Sequence, residues 1–252
     1  MAITIIGTPQ VGNANNGGAV TLTFSTTPSQ NDYTVVVVGS PAETPADCSM
    51  TTTGYTRLAY KTGAAAANPS IALFYKKQGA SPDATAVTVA DGGSGTDTSA
   101  IGFVLRGVDT DTPSDQTPTS AGETTGEDPN PASITTLTDG ACVIIAALMT
   151  VVKDTSITTP SGYTTYSQVG DDTYDHTLAA AYKVCGAAGV EEPAAWTTWG
   201  SGLWYAITVA FRPVTSTTVS AVANSLASSI TISSKEVKVP LNIPVQEDIT
   251  YL

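Results

Sequence analysis

Gly54-Tyr55-Thr56 returns as Gly162-Tyr163-Thr164, 108 residues further along the chain. The echo continues around it. Tyr75-Lys76, followed by Gly79-Ala80, returns as Tyr182-Lys183 followed by Gly186-Ala187 after 107 residues. Ala100-Ile101-Gly102-Phe103-Val104-Leu105-Arg106 returns as Ala206-Ile207-Thr208-Val209-Ala210-Phe211-Arg212 after 106. An offset that drifts by one residue across each turn-like stretch is what single-residue loop changes between two copies leave behind. The chain therefore reads as a duplicated β unit.

Working outward from these echoes, the first half reads as strands at 3–6, 19–24, 33–39, 55–61, 71–78, 85–90 and 99–106. The second half reads as strands at 132–137, 141–152, 163–169, 177–185, 195–199 and 203–212. Val20, Leu22 and Phe24 alternate with polar residues, the pattern of a half-buried strand, whereas Val35 to Val38 is continuously apolar, as a central sandwich strand requires. No stretch within the halves carries a 3.6-residue apolar period. The expected fold class is all-β: a duplicated antiparallel β-sandwich, jelly-roll or Ig-like, with an extended C-terminal arm. We place the first sandwich at 1–110, an acidic Pro/Thr-rich connector at 111–131, the second sandwich at 132–213 and the arm at 214–252. Each half is expected to close over its own interior, and the connector to be solvated.

The arm has no counterpart after Arg106. Its apolar residues Ile230, Ile232, Val237, Val239, Leu241 and Ile243 lie in extended, proline-limited sequence that cannot bury itself alone. Two readings follow: docking on a neighbouring subunit by strand addition, or folding back on its own sandwich.

Of the 252 residues, 41% are hydrophobic, enough for a sizeable core. Ten Lys and Arg against 22 Asp and Glu give a formal net charge of −12. That balance disfavours nucleic acid and anionic membrane as partners, since both are bound through basic residues. No stretch reaches the length of apolar residues needed to span a bilayer, and the first eighteen residues lack a cationic leader followed by an apolar run. Cys48, Cys142 and Cys185 have no CxxC spacing and read as core thiols made in a reducing cytoplasm.

Groups able to carry chemistry are few. His176, the sole histidine, sits in Thr-Tyr-Asp-His-Thr and reads as a surface or turn residue; no Gly-x-Ser-x-Gly elbow accompanies it. Asp91-Gly92-Gly93-Ser94-Gly95-Thr96-Asp97 matches one glycine-rich calcium repeat, a motif that works by stacking many copies, and reads as a hairpin loop. Asp109/Asp111/Asp115 and Asp171/Asp172/Asp175 read as solvated acidic turns in preference to calcium loops. Glu123/Glu127 and Glu191-Glu192 lie in loops that give no reason for a raised carboxyl pKa, so glycoside hydrolysis is unsupported. We expect no enzyme activity, no cofactor and no metal. Trp196, Trp199, Trp204 and Tyr205 cluster around Gly200-Ser201-Gly202. They either pack a sandwich end or form an aromatic platform for a glycan or protein partner.

Arg106-Gly107-Val108-Asp109, with Pro113 four residues on, resembles the RGVDxxxP stretch of structural proteins of tailed bacteriophages. The second half ends its strand with Phe211-Arg212-Pro213 and departs from the pattern there. The resemblance covers roughly 19–213 and leaves the arm aside. It implies a non-enzymatic virion protein: a capsid decoration or cement protein, or another particle-surface subunit, without cofactor. Such a protein is a homo-oligomer contacting other virion proteins, assembled in the host cytoplasm and exposed on the virion surface. The alternative expectation is a carbohydrate-binding module of a phage tail or fibre that recognises a host surface through the aromatic platform.

Overall fold

The computed structural model describes residues 2–14, 18–41, 48–62, 69–83, 86–90, 97–126, 128–150, 157–171, 176–197 and 202–215. Met1–Ser216 forms one compact unit; Thr217–Leu252 forms another, which lies outside the described residues. The expectations for Ile230, Ile232, Val237, Val239, Leu241 and Ile243 therefore fall outside them, as does Trp199.

Every regular element among the described residues is a strand. The first half contributes β1 (Thr4–Ala14), β2 (Val20–Thr23), β3 (Tyr33–Ser40), β4 (Ser49–Met50), β5 (Thr56–Thr62), β6 (Ser70–Lys77), β7 (Ala86–Ala90) and β8 (Thr98–Arg106). The second contributes β9 (Thr119–Gly126), β10 (Ile134–Thr136), β11 (Cys142–Thr150), β12 (Thr164–Asp171), β13 (His176–Val184), β14 (Gly189–Glu191) and β15 (Gly202–Phe211). Two five-stranded antiparallel sheets dominate, ordered β1-β8-β3-β6-β5 and, read in the matching direction, β9-β15-β11-β13-β12.

The sequence echoes occupy corresponding places in these sheets. Gly54 and Gly162 both take positive φ, 87° and 82°, in the turns that feed edge strands β5 and β12. A Cβ would be strained there, so glycine suits both turns. Each edge strand then bulges against its neighbour, between Arg57 and Ala59 in one sheet and between Thr165 and Ser167 in the other. Asn31 and Gly140, also at positive φ, precede the central strands β3 and β11 at matching points. Their amides donate to the carbonyls of Gln78 and Cys185, 2.9 and 2.8 Å away.

The central strands explain the apolar runs. Val35 and Val37 face one core while Val36 and Val38 face another, so β3 is covered on both sides and alternation disappears. On β11, Ile144, Ala146 and Leu148 face one core and Val143, Ile145 and Ala147 another. One outer core, holding Val20, Leu22 and Phe24, lies between the first sheet and the small sheet β2-β7-β4. The other, holding Ile134, Ile157, Trp196 and Trp204, lies on the outward face of the second sheet.

The largest core is neither of these. Ile71, Leu73, Ile101, Phe103 and Leu105 of the first half meet Ile144, Leu148, Ile207, Val209 and Phe211 of the second in a single cluster. Separate interiors were expected, whereas the five-stranded sheets bury their remaining apolar faces against each other. A sheet apolar on both faces has no other way to remove both from water.

The connector also departs from expectation. It was read as solvated linker, yet Thr119–Gly126 pairs antiparallel with β15 as the last strand of the second sheet. Thr119, Ser120, Thr124 and Thr125 suit a strand, and pairing satisfies one edge of their backbone. In the stretch expected as a strand at 195–199, Thr197 makes only an isolated bridge to Thr158, and the Trp196 amide donates to the Pro129 carbonyl at 2.9 Å. The short strands β4 and β14 carry no sequence pattern long enough to announce them.

Candidate functional site

Arg106 ends β8, and its guanidinium grips Asp32 through two hydrogen bonds, Nε–Oδ1 at 2.9 Å and a terminal nitrogen to Oδ2 at 2.8 Å. From there the chain crosses to the other half. Val108 bridges Pro213, the Val214 amide donates to the Gly107 carbonyl at 2.8 Å, and the Asp109 amide donates to the Arg212 carbonyl at 2.8 Å. The Asp109 carboxylate accepts from the amides of Asp111 and Thr112, and Pro113 accepts from the Arg212 amide. Asp115, fully buried, pairs with Arg212 at 3.3 Å and accepts the amides of Leu137 and Thr138. Asp109 and Asp115 thus hold backbone amides and a guanidinium. Their oxygens serve as braces, which accounts for this acidic loop without calcium.

His176 corrects a second expectation. It is completely buried at the start of β13, and its Nε2 lies 2.8 Å from Ser99 Oγ on β8. Ser99 is equally buried, so no substrate reaches its hydroxyl; the contact ties one five-stranded sheet to the other. The thiols are likewise enclosed. Burial pushes the Cys142 thiol well above its ordinary range, and burial together with Glu191 pushes Cys185 up to about 11. Both stay protonated at neutral pH and are poor nucleophiles. Among the described residues no group of three or more His, Cys, Asp or Glu could hold a metal ion. No helix among them is long and apolar enough to cross a membrane.

The aromatic cluster divides. Trp196 is fully buried and Trp204 is 3% exposed, both in the outer core of the second half, while Tyr205 points the opposite way into the shared core. Alternation along β15 dictates that split. Neither tryptophan offers a ring face to a sugar, so packing is the role these two indoles take. Beside them lies an open groove of about 880 Å³, into which Lys61, Ser120, Gly122, Pro131, Glu192 and Trp204 all contribute. Lys61 reaches it from β5, with its ammonium 5.9 Å from the Tyr205 ring centre. Gly122 lies directly opposite Tyr205, and a Cβ there would run into the tyrosine ring. Sequence reading missed this groove, because its lining comes from five separate stretches of the chain that share no motif.

Glu191 pairs with Lys183 at 2.7 Å, and Glu192 lines the groove, so the two carboxylates do not form a catalytic pair. The glycine-rich loop at 91–96 and Asp172 and Asp175 lie outside the described residues.

Comparison with known proteins finds no matching family model, no matching curated protein and no matching solved structure.

Proposed function

We propose that this chain is a non-enzymatic structural protein of a tailed-phage virion, a capsid decoration or cement protein or another particle-surface subunit. Its two halves are copies of one β unit of jelly-roll or Ig-like kind, and its segment 214–252 is an arm that holds neighbouring subunits. The observation that supports this most is the use made of the Arg106–Pro113 stretch, the residues on which the phage resemblance rests. Gly107, Val108, Asp109 and Pro113 fasten the first half to the second, and Arg106 anchors the start of that stretch to Asp32 within the first half. A motif devoted to joining sheets suits a building block and supplies no reactive group. The acidic balance suits an outer surface in preference to one touching packaged DNA.

Light scattering and negative-stain microscopy of the purified chain test the proposal. The full chain is expected to form a closed homo-oligomer, and a chain ending at residue 213 to remain folded and lose that assembly. A full chain that stays monomeric at every concentration, or that binds saccharides on an array, would overturn it.

A further inference from the structure

β9 is the last strand of its sheet, hydrogen-bonded to β15 on one side and to no strand on the other among the described residues. An uncovered edge presents a row of backbone donors and acceptors, which makes it a template for another strand. The 880 Å³ groove follows this strand past Ser120, Ala121 and Gly122. Residues 130–133 and 192–195 and Lys61 from the opposing sheet complete its lining.

The charges of the lining point to a ligand. Lys61 and Glu192 both line the groove, and neither makes an ion pair among the described residues. A polyanion would meet Glu192, whereas a peptide carrying charges of both signs matches both groups. A pyranose ring has no aromatic face to stack on, because Trp204 is covered.

We propose that this groove accepts an extended strand donated by the C-terminal segment of a second copy, residues 230–243. The inference rests on the assembly reading above and names its acceptor. That segment supplies the alternation Ile230-Thr231-Ile232-Ser233 that edge pairing demands and carries Lys235, Glu236 and Lys238, charges of both signs to meet Glu192 and Lys61. Backbone pairing with β9 gives affinity, and the charged walls give register.

Sedimentation of the full chain, with and without a synthetic peptide spanning residues 228–244, is the test. Excess peptide should dissociate the oligomer, and a scrambled peptide should not. Lys61→Glu should weaken assembly about tenfold, and adding Glu236→Lys to it should restore most of the loss. Deletion of the segment abolishing assembly while Lys61→Glu assembles normally would overturn the acceptor and leave the assembly reading standing. A full chain that never assembles would overturn both.

Discussion

At the start of β5 the Tyr55 hydroxyl donates to Thr34 Oγ1 at 2.8 Å, and Gln78 Nε2 donates to the same oxygen at 3.0 Å. At the matching point before β12 the Tyr163 hydroxyl is buried with no hydrogen-bond partner among the described residues. Thr34 pairs with Lys76 and Val104; Val143 holds the same register against Lys183 and Ala210. Cys185 likewise stands where Gln78 stands. The second half thus has two apolar side chains where the first has two polar ones, beside an equivalent tyrosine. The cations match: Lys76 lies 6.0 Å from the Tyr55 ring centre and pairs with Asp83, and Lys183 lies 5.9 Å from that of Tyr163 and pairs with Glu191. A shared frame, it follows, does not fix the polar interior, and each half can be probed with the other as its control.

The largest effect expected comes from the core the halves share. Phe211 is fully buried there, set edge-on to Tyr75 of the first half at 6.3 Å. Phe211→Ala should cost about 3–5 kcal/mol. Because the cavity opens between the sheets, calorimetry should still show one transition for both halves, moved down in temperature. Two separated transitions would mean that the outer cores hold each half independently.

Next in size are the carboxylates that fasten the strand-end arginines. Asp115→Ala strips a buried acceptor from Arg212 and two backbone amides, and should cost about 3 kcal/mol. Asp32→Ala should cost less, because the Arg106 side chain is 46% exposed and water can replace part of the lost pairing, whereas that of Arg212 is 29% exposed. Chemical denaturation of the two variants ranks them. Equal losses would show that the brace between halves adds nothing beyond a surface ion pair.

These contrasts also mark what sequence could reveal. Turn chemistry and repeated strand ends exposed the frame: Gly54 and Gly162, Lys76 and Lys183, and Arg106 and Arg212 occupy matching places. Twelve of the expected strands overlap observed ones, because alternation or an apolar run marks each. Which sheet covers which was not legible, since Val35 to Val38 says only that both faces are buried and not what buries them. His176 misled for a similar reason: Asp175 and Thr177 look solvated, while its actual surroundings come from β8, 77 residues away. The groove beside β9 was hidden because strand-forming Thr119 and Ser120 sit within Pro- and Gly-rich sequence.

The tyrosine contrast itself predicts opposite signs. Tyr55→Phe should cost about 1 kcal/mol, because Thr34 Oγ1 loses one of the two donors it accepts from, whereas Tyr163→Phe should be neutral or stabilising because it removes a buried hydroxyl that has no partner among the described residues. Val143→Thr restores the missing acceptor. In a double-mutant cycle with Tyr163→Phe, it should show coupling of about 1 kcal/mol. Zero coupling would mean that the second half cannot form the bond even with both groups present.

The smallest effect separates the first residues of the two central strands by pH. Tyr33 opens β3 and Cys142 opens β11. Burial raises both, Tyr33 to about 12 with help from Tyr75, Asp109 and Asp111, and Cys142 with help from Cys185. A group whose folded pKa lies above its unfolded value binds more protons in the folded state, so stability must fall as pH rises through that interval. For Tyr33 the contribution is complete below pH 10 and disappears towards 12, a loss on the order of 1 kcal/mol once the pH has passed 10. For Cys142 the loss starts near 9, where an unfolded thiol begins to ionise. Thermal midpoints between pH 8 and 11 should therefore decline in two stages. Cys142→Ala should flatten part of the earlier stage, which Cys185 shares, and Tyr33→Phe the later one. A Tyr33→Phe protein with an undiminished slope above pH 10 would place the alkaline loss elsewhere, with Tyr55 and Tyr163, both also raised by burial, the next positions to replace.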